Sequence, residues 1–479
     1  MIFKLAFMSK LLDLYNPDQF ESIGKELITF LSDYLRKATA DKIPVNNYKD
    51  PELALSSWKE FMKKDASLID YFKKVIEDSI HLHNPNYMGH QVSAPAPLAA
   101  FGGLISDLLN NGMAVYEMGG ASNPLEKMAT DLICQAAGYD ENSAGFMTSG
   151  GTLANLTALI TARSVKTNVW DEGNSNQKLG IMVSEQAHYS VDRAARIMGL
   201  GSEGIIKLPV GDDYSVLAQK LTEKLEEAEA NGIHVFAIVS SSCSTSTGSY
   251  DEIEAFKEFA QMNNIWLHVD GAHGGSAIFS KKYKHLLKGV EKADSFIVDC
   301  HKMMMTPTLC TAVLYKNRAH TLATFRQKAE YLFDESEQYD WHNSGKRTFE
   351  CTKLMMSIKM MAIVRHSGAE VFEELVDTLY DNAAKFAQII DDDPMFELAL
   401  QPQANIICFR LITDSPDEVN SRIRQKILEE GKFYIVQTIL NGHVYLRTSI
   451  MNPLTTEHHF HNLLKEIKRI SYIQIQQTM

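Results

Sequence analysis

Two runs decide how this chain is read. The first is Ile265-Trp266-Leu267-His268-Val269-Asp270 with the small-residue turn Gly271-Ala272-His273, and the second is Asp294-Ser295-Phe296-Ile297-Val298-Asp299-Cys300 with His301-Lys302. Each is a short apolar run, rich in β-branched and aromatic residues, that reads as a buried strand. One delivers an acid, Asp270, at its end; the other delivers an amine, Lys302. An aldehyde cofactor with a basic ring nitrogen needs such a pair. A lysine condenses with the aldehyde as a Schiff base, and an aspartate holds the ring nitrogen protonated so that the ring accepts electrons.

Working outward, β-rich runs at 145–148, 180–184, 234–240, 265–270 and 294–299 alternate with helical stretches between residues 86 and 362. Alternation of this kind predicts an α/β unit with a largely parallel sheet, helices on both faces, and ligands at the carboxyl ends of the strands. Residues 1–85 read as an N-terminal helical arm: Asn16-Pro17 has the form of a cap and first turn, and Phe20, Ile23, Leu27, Leu31 and Tyr34 recur at helical spacing. The apolar stripe of such an arm needs cover from another subunit or from the body. Residues 363–479 read as a small α+β domain, opened by a helix over 371–390 that stops at Asp391-Asp392-Asp393-Pro394.

At 479 residues the chain is too long for one ordinary core, so two or three units are expected. A formal net charge of -13 argues against a nucleic-acid surface. The six cysteines lack paired short spacings, which suits reduced thiols in a cytoplasmic protein and neither a disulfide frame nor a metal site. No run is long enough to span a membrane, and the apolar start is too short for a signal segment.

Other residues carry candidate chemistry. Thr148-Ser149-Gly150-Gly151-Thr152 stands at a strand-to-helix junction, where backbone amides, hydroxyls and the helix dipole can hold a phosphate; a plain helix cap is the alternative. His188, after the run 181–184, can stack on a cofactor ring or serve as a local hydrogen-bonding residue. Asp270 can equally enter a structural salt bridge or cap a helix, and Lys302 can snorkel from its strand end.

The ordered set resembles the group II pyridoxal-phosphate-dependent amino-acid decarboxylases, the family of glutamate, cysteine-sulfinate and aromatic amino-acid decarboxylases. Its carriers are Asn84-Pro85-Asn86-Tyr87-Met88-Gly89-His90, Ser149-Gly150-Gly151-Thr152, Gln186-Ala187-His188, His268-Val269-Asp270-Gly271-Ala272-His273-Gly274, Ala293-Asp294-Ser295 and His301-Lys302. The resemblance runs from about residue 85 to 453. It implies the fold type I of pyridoxal-phosphate-dependent transferases, with the cofactor as a Schiff base on Lys302. It further implies phosphate contacts from Thr148, Ser149 and the Gly150 turn, joined by Ser295 or His301. His188 is implied on one ring face, Ala272 on the other, Thr245 near the ring hydroxyl and Asp270 at the ring nitrogen.

Tyr331 is similar to a loop tyrosine that protonates the substrate α-carbon, and Arg447 to an arginine that meets a substrate carboxylate; the structural alternatives are an ordinary core aromatic and a surface arginine. The resemblance also implies a homodimer with active sites at the interface. The sequence departs from the pattern at Asp299-Cys300, where relatives have Asn-Pro, at Ser244, which replaces a threonine, and at His90, which replaces a glutamine of glutamate decarboxylases. The expected reaction is loss of carbon dioxide from an L-amino acid, with His90 and Arg447 pointing to an acidic one (glutamate, aspartate or cysteine sulfinate). Diaminobutyrate or aromatic substrates, another fold type I activity (aminotransferase, aldehyde-forming decarboxylase, carbon-carbon lyase) and a non-catalytic scaffold are the competing readings.

Overall fold

The computed structural model describes residues 10–173, 177–325 and 340–478. Its centre is a seven-stranded sheet. The strands are β1 (Ala144–Thr148), β2 (Lys178–Ser184), β3 (Ile205–Leu208), β4 (Ile233–Ser241), β5 (Trp266–Asp270), β6 (Ser295–Asp299) and β7 (Thr311–Tyr315), in the order β1-β7-β6-β5-β4-β2-β3. The run from β3 to β6 is parallel, and β7 lies antiparallel to both neighbours. β1 therefore points the same way as β6.

The reversal at β7 follows from chain length. Only residues 300–310 separate β6 from β7, and a parallel return takes a dozen or more residues, usually with a helix. Register then aligns the functional ends: Thr148 and Asp299 both pair with Thr311, and Ser241 pairs with Asp270.

Both faces of the sheet are covered, so its strands are apolar throughout rather than alternating. Phe296 and Val298 of β6 enter one core cluster while Ile297 enters the other. On β5, Leu267 and Val269 face the first cluster and Trp266 the second. The period-2 rule then places Trp266, His268 and Asp270 on the face covered by the helix Gly151–Lys166.

A second, wholly antiparallel sheet holds β8 (Phe396–Leu398), β9 (Ile406–Leu411), β10 (Val436–Leu440) and β11 (His443–Ser449) in the order β10-β11-β9-β8. The long helix Glu370–Asp391 begins just after Gly368, whose φ of +76° ends the preceding helix Ser357–Ser367. In the N-terminal region, Asn16 caps the helix Pro17–Thr39 by accepting from the Asp18 amide, with Pro17 in the first turn. The chain after it ties into the small sheet's side of the molecule: the amides of Val45 and Met88 donate to the carbonyls of Gly431 and Tyr434. Among the described residues, no helix is long and apolar enough to cross a membrane, and no cluster of histidine, cysteine or carboxylate side chains could hold a metal ion. All six cysteines are free thiols.

Candidate active site

The carboxyl ends of β1, β4, β5 and β6 surround a cavity of about 280 Å³, lined among others by Ser149, Gly150, His188, Thr245, Asp270 and Lys302. Ala272 and His301 also line it. Two sequence-distant motifs thus meet because their strands end at one level of the same sheet.

Asp270 is buried at the end of β5. Its Oδ2 accepts from Asn155 Nδ2 at 2.9 Å and its Oδ1 from the Ala272 amide at 3.1 Å. Both partners are neutral donors. Lys302 lies in the turn after β6, and its Nζ is 2.9 Å from Asp299 Oδ2. Asp299 also accepts from the Thr311 hydroxyl, and His301 Nε2 stands 3.6 Å from it. Burial pushes the Asp299 carboxyl up, but Lys302, His301 and the Thr311 hydrogen bond outweigh it and hold the group below the ordinary carboxylate value.

At the glycine turn, Gly150 has φ +111°, which an L side chain rarely adopts, and a Cβ at Gly151 would stand 3.2 Å from the Asp299 carboxylate oxygens. The absence of side chains keeps the turn open to the cavity. Ser149 Oγ donates to Glu350 Oε1 at 3.0 Å. Beneath the turn, Thr148 Oγ1 is buried without a hydrogen-bond partner among the described residues. The buried Lys353 amine braces the strand from below, donating to the Met147 carbonyl and Glu126 Oε1, each at 2.7 Å.

His188 lines the cavity, and its Nδ1 caps the helix Tyr189–Ile197 by accepting from the Ser190 amide, the local hydrogen-bonding role. Burial lowers its pKa more than the Asp270 charge raises it, which leaves a neutral imidazole at neutral pH. His273, one residue beyond Ala272, is pushed down to about 3 by burial and by the nearby Lys302 charge, and its Nε2 is bonded to Asn405.

Ser295 is a correction. It opens β6, at the strand end opposite the cavity, and its hydroxyl is taken by Trp266 Nε1 and His268 Nδ1. A residue one strand length away from the glycine turn cannot join the same phosphate contact. Arg447 is buried in β11 and donates through Nη2 to the Thr245 carbonyl at 2.6 Å, which sets it behind a lining residue. His90 is exposed, 6.0 Å ring to ring from Tyr434, and burial of part of its ring together with the Arg447 and Arg424 charges lowers its pKa. Tyr331 lies outside the described residues.

Sequence reading passed over Asn155 and Thr311 and treated Asp299 only as a departure. Asn155 sits on the second turn after the glycine motif, on the helix face toward β5. That helical offset from Gly151 is the one signal in the sequence that could have found it.

The pyridoxal-dependent decarboxylase conserved domain matches residues 56–412, and the chain belongs to that family. It is 27% identical to the aspartate 1-decarboxylase of Aliivibrio fischeri, over 94% of this chain and 91% of that one. It is 24% identical to the aromatic-L-amino-acid decarboxylase of Bacillus atrophaeus, over 97% and 98%. Among solved structures, Oryza sativa TDC with PLP and tryptamine superposes with a TM-score of 0.87 at 22% identity, over 96% of this chain and 99% of that one. The protein is a pyridoxal-phosphate-dependent amino-acid decarboxylase. Its residues fit the cofactor: an open glycine turn, a lysine and a carboxylate converge on one cavity, and below the turn lies a buried hydroxyl with no partner among the described residues.

Proposed function

We propose that the substrate is an acidic L-amino acid and that the product is the corresponding amine. The observation that carries this reading is the buried Arg447 guanidinium beside the cavity wall. Its Nη2 donates to the Thr245 carbonyl while its Nε has no partner among the described residues, so it retains donors for a carboxylate. The 27% identity to an aspartate decarboxylase supports the same choice.

When bound, pyridoxal phosphate supplies an aldehyde for covalent attachment and a protonated ring that accepts the electron pair of the breaking bond. Lys302 provides the attachment point and afterwards releases the amine. Ser149, Gly150, Thr148 and His301 are assigned to the phosphate, Thr245 to the ring hydroxyl, and His188 and Ala272 to the two ring faces. Asp270 holds the ring proton. Its carboxylate is aimed by Asn155 and the Ala272 amide, neither of which cancels its charge. Residues that orient the substrate carboxylate, Arg447 among them, would select which bond is lost. Tyr331 is assigned the proton delivered to the α-carbon.

The test is carbon dioxide, amine and aldehyde release across a panel of glutamate, aspartate, cysteine sulfinate, diaminobutyrate and aromatic amino acids. Acidic substrates should turn over fastest, and Arg447→Met should raise their KM selectively. A panel led by an aromatic substrate, unaffected by that change, would sink the assignment. We further infer a cytoplasmic homodimer. Exposed apolar residues on the helix Ala100–Leu109 (Phe101, Leu104, Ile105, Leu108) and on the N-terminal helix (Phe20, Ile28) support a covered face.

A further inference from the structure

The polar groups beneath Asp270 form a continuous chain, and the chain has a direction. Trp266 Nε1 donates to Ser295 Oγ at 2.8 Å, and Ser295 Oγ is 2.8 Å from His268 Nδ1. His268 Nε2 is 2.8 Å from Asn155 Oδ1. Asn155 Nδ2 donates at 2.9 Å both to Asp270 Oδ2 and to Ser190 Oγ, and Ser190 Oγ is 2.7 Å from His188 Nδ1. Register builds most of this: Trp266, His268 and Asp270 share one face of β5, and Ser295 is directly opposite His268 on β6.

The two ends of the chain are chemically one-sided. An indole N–H only donates and an ionised carboxylate only accepts, while the hydroxyls, imidazoles and amide between them can do both. Burial pushes His268 down to about 4 and lowers His188 as well, so each imidazole carries a single proton at neutral pH and its tautomer becomes the open variable.

One assignment satisfies every side-chain contact in the chain. Starting from Asp270, the Asn155 amide nitrogen must face the carboxylate, so its carbonyl faces His268 and accepts from a protonated Nε2. Nδ1 of His268 is then bare and takes the Ser295 hydroxyl proton. Starting from Trp266, the indole occupies a Ser295 lone pair and leaves that same hydroxyl proton free for His268. The two ends agree. In the opposite tautomer Asn155 must turn its amide to His268, and its carbonyl would oppose Asp270 Oδ2 at 2.9 Å, two buried acceptors in contact.

We infer that Trp266, Ser295, His268 and Asn155 are positioning residues that form a one-way hydrogen-bond chain. The chain orients the Asp270 carboxylate and, through Ser190, leaves Nε2 as the protonated nitrogen of His188. The functional weight of the chain rests on the reading of Asp270 as the ring-nitrogen partner; its direction does not.

Neutron diffraction from the perdeuterated protein tests the direction, with deuterium expected on Nε2 of His268 and absent from Nδ1. Titration with pyridoxal phosphate, followed by absorbance, tests the function. Ser295→Ala should weaken binding about tenfold, Ser295→Thr should restore it, and Trp266→Phe, which removes the donor together with one ring of the buried indole, should weaken it severalfold with an unchanged circular dichroism spectrum. Deuterium on Nδ1 of His268, or wild-type binding by both Ser295→Ala and Trp266→Phe, would overturn the inference. Wild-type binding by Asp270→Asn together with the expected neutron map would remove the Asp270 reading and leave the chain standing.

Discussion

Two carboxylates close adjacent strands of one sheet, and they are held in opposite ways. Asp270, at the end of β5, accepts from an amide side chain and a backbone N–H among the described residues. Asp299, at the end of β6, faces an ammonium, an imidazole and a hydroxyl. Neutral donors orient a charge and leave it available to a cation arriving in the cavity, whereas Lys302 already neutralises Asp299 from within the protein. On the proposed assignment of the site, the same residue type at the same depth serves recognition in one place and the custody of a nucleophile in the other.

The strongest way to break this comparison is at the amine. Lys302→Ala should reduce carbon dioxide release by about 10³-fold or more, and borohydride reduction should then leave no cofactor-sized mass increment on the protein. Next come the two acids. Asp270→Asn should lower kcat by about 10²-fold or more, because it removes a charge aimed at the reacting system. Asp299→Asn should cost closer to tenfold, since Lys302 keeps its place and loses only a charged partner. Equal losses in steady-state assays of the two variants would erase the distinction.

A finer contrast lies in acid stability. The turn beyond β5 contains His273, held down to about 3, and β5 itself contains His268, held down to about 4. Their unfolded forms titrate near 6.5. Between pH 6.5 and 4 the unfolded chain binds protons that these folded groups refuse, so stability rises with pH across that window. Asp251 acts against them: burial outweighs the hydrogen bonds from the Ser241 and Val216 amides and raises its pKa to about 6, so folding takes up a proton in the same range. Urea unfolding should therefore show a net loss of stability as pH falls from 6.5 to 4, and His273→Gln should flatten that slope.

Asp299 has the same sign of dependence as the two histidines, at a lower pH. Its depressed folded pKa contributes stability that is present above the ordinary carboxylate value, roughly 4, and is lost as pH falls through the folded value. The smallest expected effect is accordingly that Asp299→Asn lowers the unfolding midpoint by a few degrees at pH 7, with the deficit shrinking only in the acid range. A deficit unchanged down to pH 3 would place the Asp299 contribution in packing rather than charge.

Much of this arrangement is legible before folding. Apolar runs bounded by turns mark β1, β2, β4, β5 and β6, because strands buried on both faces need continuous hydrophobic residues. The ionisable residues that interrupt those runs at their ends mark the cavity. β3, β7 and β10 carry weaker signals: β3 has a lysine among its four residues, and β7 has no ionisable end to draw notice. Ser295 illustrates the limit. Its motif suggests cofactor contact, yet Ser295 begins its run, at the amino end of β6, while the cavity lies at the carboxyl ends of the strands.

By itself, the sequence pointed to the cofactor chemistry, because an acid and an amine that each have structural uses stand within an ordered set of motifs resembling one family. The tertiary structure alone decided how each acid is held. That depends on which donors from distant segments reach it: Asn155 from the helix after β1, and Thr311 from a strand that runs backwards because the connection before it is short. Hydrogen bonds act over about 3 Å, and no spacing along the chain encodes contacts across 115 or 12 residues at that precision.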